Sequence, residues 1–162
     1  ETDSTLIMIG DRKNELGGSV YYSLKNELGA NVPKPNFEEV KNQIFALTDC
    51  IDGGLVLSCH DIADGGVASA LAEMTFRNSI GCNVNIKSHL SPDKILFSET
   101  GGFILEVLPK NIDTIKSVFS NYGLDVFEIG STGGESIQIN GLTDIYVTET
   151  KKAWTNGLRE KL

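Results

Sequence analysis

The chain has 162 residues, a length that suits one domain, and carries a formal net charge of −8 from 14 basic and 22 acidic residues. Its basic residues are scattered, which excludes the electrostatic footprint of a nucleic-acid binder, and 40% hydrophobic against 22% charged residues excludes a disordered tail or a collagen-like fibre. No apolar run approaches the ~20 residues that span a bilayer, and Glu1-Thr2-Asp3-Ser4 has neither a basic nor an apolar leader, so a cytoplasmic location without a membrane partner is expected.

Leu6-Ile7-Met8-Ile9 before Gly10-Asp11 reads as a short buried strand. It begins almost at the first residue, as in a piece of a longer protein. Gly17-Gly18 forms a loop, and Val20 to Leu28 is expected to be a short helix with Ser19 as N-cap and Gly29 past its end. Asn36 with Glu39 three residues on resembles a capping box. Val40, Ile44, Leu47 and Ile51 then recur at helical spacing up to Gly53-Gly54. Leu55-Val56-Leu57-Ser58 reads as a continuous apolar strand, and Cys59-His60-Asp61 leads into an Ala-rich helix from about Gly66 to Arg77 with Val67, Leu71 and Met74 on one face.

Asn83 to Lys87 alternates like a strand, and Phe103 to Leu108 is a strand ended by Pro109. Ile112, Ile115, Val118, Phe119 and Tyr122 mark an amphipathic helix closed by Gly123. Strands are expected at Val126–Ile129, Ser136–Ile139 and Ile145–Val147, and a terminal helix at Lys151–Leu162. The fold class is α+β: a mixed sheet flanked by helices, with βαβ-like units and an antiparallel stretch near the end, forming one domain over 1–162. Cys50, Cys59 and Cys82 are odd in number and lack CxxC spacing, so each is expected to be a reduced thiol in the core.

The densest polar constellation is His60-Asp61-Ile62-Ala63-Asp64-Gly65-Gly66, at the end of one expected strand and the start of one expected helix. Free helix N–H groups and the positive dipole end attract phosphate there, glycines admit a ligand to the backbone, and carboxylates can hold Mg²⁺. The plainer alternative is that Asp64 caps the helix, His60 satisfies a backbone group and the glycines make a tight turn. Glu15-Leu16-Gly17-Gly18-Ser19 and Ser98-Glu99-Thr100-Gly101-Gly102 are weaker candidates for phosphate or for simple turns. No P-loop or GxGxxG pattern occurs, two histidines without HExxH argue against zinc, His89 reads as a surface residue, and Asp11 and Glu15 read as solvated.

In order along the chain, Glu15-Leu16-Gly17-Gly18-Ser19, His60-Asp61-Ile62-Ala63-Asp64-Gly65-Gly66-Val67-Ala68, Leu71-Ala72-Glu73-Met74 and Leu96-Phe97-Ser98-Glu99 resemble the ELGGS, HDxSDGGLAxALAEM and LFSE signatures of formylglycinamidine ribonucleotide synthases. The resemblance covers about the whole chain. These synthases belong to the aminoimidazole ribonucleotide synthase-related superfamily, and the resemblance implies that group's C-terminal-domain fold. Ala63 stands where Ser is expected, and Phe103 where many members have Arg, so a phosphate contact from position 103 is not carried over.

What the resemblance implies is a C-terminal domain of a purine-pathway ligase. Such an enzyme uses ATP to activate the amide oxygen of formylglycinamide ribonucleotide, and glutamine-derived ammonia then gives the amidine. The implied cofactors are ATP or ADP with Mg²⁺. The implied partners are N-terminal barrel-forming domains and a glutamine amidotransferase domain or subunit. The expected nucleotide- or phosphate-binding residues are His60, Asp64, Gly65, Gly66, Gly17, Gly18, Ser19, Ser98 and Glu99, with Asp61 toward the metal. No catalytic residue is assigned in this segment, and His60 does not inherit the family's catalytic histidine role. A phosphoryl-transfer domain of the related superfamily, or a non-catalytic packing domain, is the alternative.

Overall fold

A computed structural model describes residues 1–157 of the chain. Its strands are β1 (Thr5–Ile9), β2 (Val56–Asp61), β3 (Cys82–Val84), β4 (Phe103–Val107), β5 (Phe127–Thr132), β6 (Ser136–Ile139) and β7 (Thr143–Tyr146). The helices are α1 (Val20–Ser23), α2 (Phe37–Asp52), α3 (Gly66–Thr75), α4 (Pro92–Phe97), α5 (Ile112–Asn121) and α6 (Val147–Asn156).

The strands form one sheet in the order β2-β4-β1-β5-β3-β6-β7, antiparallel except for the parallel β3–β6 pair. The α+β class and the mixed sheet with flanking helices are as the sequence implied. The expected βαβ-like units are present in split form. β1 and β2, joined by α2, are both antiparallel to β4, which lies between them.

β1 is central, so its residues alternate between two buried layers and read as a continuous apolar run. Ile7 and Ile9 pack with Ala46, Leu47 and Cys50 of α2 and with Ile115 and Phe119 of α5. Leu6 and Met8 face the other layer, with Val67, Ala70 and Leu71 of α3 and Ile95 and Leu96 of α4. The Ala-rich face of α3 lets its first turn approach α4 so closely that a Cβ on Gly66 would lie 2.7 Å from the Leu96 carbonyl oxygen.

Several elements depart from expectation for identifiable reasons. α1 stops at Ser23 instead of Leu28: Asn26 adopts φ 57, and Leu24 and Leu28 are 80% and 77% exposed, so no packing holds a longer helix. On α2 the buried stripe is Gln43, Ala46, Leu47 and Cys50, while Ile44 and Ile51 are 47% and 48% exposed. β2 is apolar in part but lies at the sheet edge, and most of its residues are exposed. Cys59 is therefore exposed, unlike the buried Cys50 and Cys82.

The strand expected over Asn83–Lys87 narrows to Cys82–Val84, although Val84 and Ile86 both point into the core. Helix α4 has no counterpart among the expected elements; Ser91 followed by Pro92 at its first position is the signal that marks it. The terminal helix starts at Val147, and the part of its expected range beyond Gly157 lies outside the described residues. Among the described residues no helix is long and apolar enough to cross a membrane.

A carboxylate junction at the candidate site

The three glycine-bearing motifs, far apart in sequence, meet at the side chain of Glu99. One carboxylate oxygen, Oε1, accepts from the Val20 amide at 2.8 Å and from the Gly65 amide at 2.9 Å. Val20 is the first residue of α1 and Gly65 the N-cap of α3, so one negative side chain sits at the positive ends of two helices. Tyr21 of α1 stacks on Phe97 of α4, with ring centroids 4.6 Å apart and planes 5° apart, which closes the junction from the side.

Around it, most of the sequence-predicted residues are held by protein partners. Ser19 is buried; its Oγ accepts from the Tyr22 amide at 3.2 Å and donates to the Leu16 carbonyl at 2.7 Å. The Gly17 amide donates to Asn31 O and the Gly18 amide to Leu28 O, both at 2.7 Å, and a Cβ on Gly17 would meet the Asn31 backbone at 2.7 Å. Ser98 is fully buried and hydrogen-bonds Thr100 Oγ1 at 2.8 Å; Thr100 in turn donates to Glu15 Oε2 at 2.9 Å. Glu15 is thus a structural acceptor, not the solvated acid expected, whereas Asp11 is exposed.

On the His60–Gly66 turn the residues divide by exposure. Gly65 (φ +75) and Gly66 (φ +67) are buried in left-handed conformations, and Gly66 N donates to Ala63 O at 2.9 Å. Asp61, Ala63 and Asp64 are exposed. No side chain caps α3, so Asp64 is not its cap. His60 pairs in register with Ile104, on the α3 side of the sheet, where its Nε2 lies 3.2 Å from Glu73 Oε2. Its Nδ1 lies 2.7 Å from the Asp61 carbonyl oxygen and 3.5 Å from Asp61 Oδ1. Asp61 pairs with Phe103 and so belongs to the opposite face of the strand.

Among the described residues no group of three or more His, Cys, Asp or Glu side chains is placed to hold a metal ion. The donor set at the turn fits Mg²⁺ only as one exposed carboxylate, Asp61, which is the protein share usual where phosphates and waters complete the shell.

Arg12 is the functional-looking residue that sequence reasoning missed. It is 8% exposed, and its guanidinium donates to the carbonyls of Thr100 at 2.6 Å, Gly101 at 2.8 Å, Ser98 at 3.4 Å and Gly10 at 3.5 Å. Burial pushes its pKa down to about 10, against the opposing pull of Asp11 and Glu15. No local pattern around Arg12 signals this, because its partners are backbone carbonyls, of Ser98, Thr100 and Gly101 in a distant loop and of Gly10. Glu73, the partner of His60, was legible only as part of the LAEM wording. The larger clefts lie away from the turn: one of about 450 Å³ between α2 and Tyr122–Phe127, and one of about 500 Å³ between residues 11–13 and 85–88.

Residues 1–140 match the profile of the family described as AIR synthase related protein, C-terminal domain. The chain belongs to this family. Among AIR synthase-related relatives, the phosphoribosylformylglycinamidine synthase subunit PurL of Methanothrix thermoacetophila is 34% identical over 169 residues, covering 100% of this chain and 22% of the relative. The same subunit of Moorella thermoacetica is 34% identical over 159 residues, covering 94% and 22%. The chain therefore spans about a fifth of the length of the curated relatives it matches. Thermotoga maritima PurL complexed with FGAR superposes with a TM-score of 0.76 at 18% identity, covering 93% of this chain and 28% of that one. The ATP complex of T. maritima PurL gives 0.72 at 17% identity, with 93% and 26% covered. At these identities the likeness is one of fold, and it bears out the C-terminal-domain fold that the motifs implied.

Proposed function

We propose that the chain serves as the C-terminal domain of a phosphoribosylformylglycinamidine synthase, an ATP-dependent ligase that forms a C–N bond in purine biosynthesis. Supporting this are the PurL relatives over the whole chain and the family match over residues 1–140. The observation that carries it is the Glu99 junction, since it joins the ELGGS-like, HDxxDGG-like and LFSE motifs at one point. Their wording then follows from one three-dimensional constraint.

Within such a synthase the domain supplies one wall of a nucleotide site, and N-terminal barrel-forming domains supply the other. A glutamine amidotransferase domain or subunit delivers ammonia. Asp61 offers one carboxylate to Mg²⁺, with Asp64 also exposed on the turn, and the start of α3 turns its dipole toward the nucleotide phosphates. Bound Mg²⁺ would neutralise charge on ATP or ADP phosphate oxygens. Gly66 acts by letting the α3 terminus sit against Leu96 and Phe97, Gly65 by leaving room for the Ser69 side chain, and His60 by bracing β2 against Glu73. Gly17, Gly18, Ser19, Ser98 and Glu99 hold the loops around this wall.

Calorimetry of ADP and ATP binding, with and without Mg²⁺, tests the reading on the wild-type chain and on Asp61→Asn. Magnesium-dependent binding lost in the variant is the expected result. Binding that survives unchanged moves the nucleotide off this turn. A second reading has a specific observation in its favour: Glu99 already occupies the Gly65 amide, as an anion would, so the turn serves chiefly to lock domain packing. In that case Asp61→Asn leaves nucleotide content of the intact synthase untouched, while substitutions at Glu99 lower stability.

A further inference from the structure

The cleft of about 500 Å³ beside the end of β1 has a character unlike the rest of this acidic chain. Arg12, Lys13 and Lys87 line it, against the carboxylates of Asp11 and Glu128, and Glu128 is already paired with Lys116 from outside. Among the described residues, Arg12, Lys13 and Lys87 have no ion-pair partner. Arg12 is a buried cation held by backbone carbonyls, with Asp11 and Glu15 near enough to act on its charge, and its Nε, also buried, has no hydrogen-bond partner. An unpartnered buried donor on a residue that lines a cavity marks a place where an acceptor is missing. The volume lies within the range of small-molecule sites, and Val126, Ile86 and the half-exposed ring of Phe127 give it an apolar wall.

We propose that this cleft is a phosphate-class oxyanion site, in which Arg12, Lys13 and Lys87 receive the anion and Phe127 bounds the space for any organic body attached to it. It is separate from the His60–Gly66 turn and does not rest on the nucleotide reading of that turn. Either free phosphate or a phosphate monoester has the required chemistry. The exposed Lys13 and Lys87 steer and hold the charge, while Arg12, fixed by Thr100 and Gly101, sets the floor of the site.

The test is an amide chemical-shift titration of the 162-residue chain with inorganic phosphate and with phenyl phosphate at constant ionic strength, using chloride as reference. Saturable shifts at residues 11–13 and 85–88 are expected. The Lys13→Met, Lys87→Met double variant, altered only at exposed positions that leave the fold intact, should raise Kd by about tenfold or more. Lys152→Met on α6 serves as the control and should leave Kd unchanged. Equal affinity for both probes supports the site with a free anion as its ligand. Tighter phenyl phosphate binding, with the advantage lost in Phe127→Ala, supports it with a monoester. Absence of saturable shifts for both probes, or binding undiminished in the double variant, overturns the proposal.

Discussion

Gly66 has φ +67 and lies where an added Cβ would come within 2.9 Å of Phe97 Cα as well as 2.7 Å of Leu96 O. Both atoms are backbone, so neither can move aside cheaply. Gly66→Ala should therefore cost roughly 2–5 kcal/mol, from left-handed strain plus overpacking, as read by urea denaturation. Gly54 is also left-handed but meets nothing within 4 Å, and Gly54→Ala should cost only the strain, about 1–2 kcal/mol. Cysteine chemistry separates residues in the same way. Burial pushes the Cys50 and Cys82 thiols up to about 11, with Asp49 adding to the Cys50 shift, and Cys59 is raised by burial and then by Asp61. At pH 8.5, iodoacetamide should label Cys59 alone in the folded chain, as read by mass spectrometry. Only the thiolate reacts, and removing the Asp61 charge lowers the Cys59 pKa, so Asp61→Asn should speed that labelling. An unchanged rate would mean that Asp61 does not act on the thiol.

On α2 the apolar residues cover more than one face, and the sheet selects which of them is buried. Asn36 caps the helix through Oδ1, which accepts from the Glu38 and Glu39 amides at 3.2 and 3.4 Å, as its spacing to Glu39 implied. The stripe Val40, Ile44, Leu47, Ile51 shares only Leu47 with the observed buried set, because Gln43 takes a core position with its Nε2 bonded to Glu39 at 3.2 Å. Leu47→Ala should cost roughly 2–5 kcal/mol, and Ile44→Ala should stay within about 0.5 kcal/mol, both measured by chemical denaturation. Comparable losses at the two positions would contradict the observed rotation of the helix. α4 and the short α1 show the same dependence on surroundings: a six-residue helix forms where Ile95 and Leu96 are buried, and a longer propensity is cut short where Leu24 and Leu28 find nothing to pack on.

Across the whole molecule, Glu99 ties together three loops that leave neighbouring ends of β1, β2 and β4. Glu99→Ala should release the Val20 and Gly65 amides together, and hydrogen exchange at both should accelerate while β1 and β4 stay protected. Glu99→Gln keeps a carbonyl acceptor and should retain much of that protection. Exchange unchanged in Glu99→Ala would remove the junction as a stabilising feature. The edge position of β2 is a second whole-molecule property. It exposes Leu57, Ser58 and Cys59, and leaves His60 tied to α3 through Glu73.

From the sequence alone came the family motifs, the α+β class, the Asn36 cap, the short buried strand β1 and the amphipathic α5. The cap, the strand and the helix each depend on residues within one turn or one strand of each other, where local geometry dictates the pattern. Tertiary structure decided the strand order with β4 between β1 and β2, the edge exposure of Cys59, the buried face of α2, the Glu99 bridge and the burial of Arg12. Those depend on groups far apart in sequence, 89 residues in the Arg12–Gly101 bond, and many are side-chain contacts to backbone atoms that carry no residue-specific signal. An amide or carbonyl looks alike at every position of a sequence, so only the folded chain reveals which one a buried guanidinium or carboxylate has found.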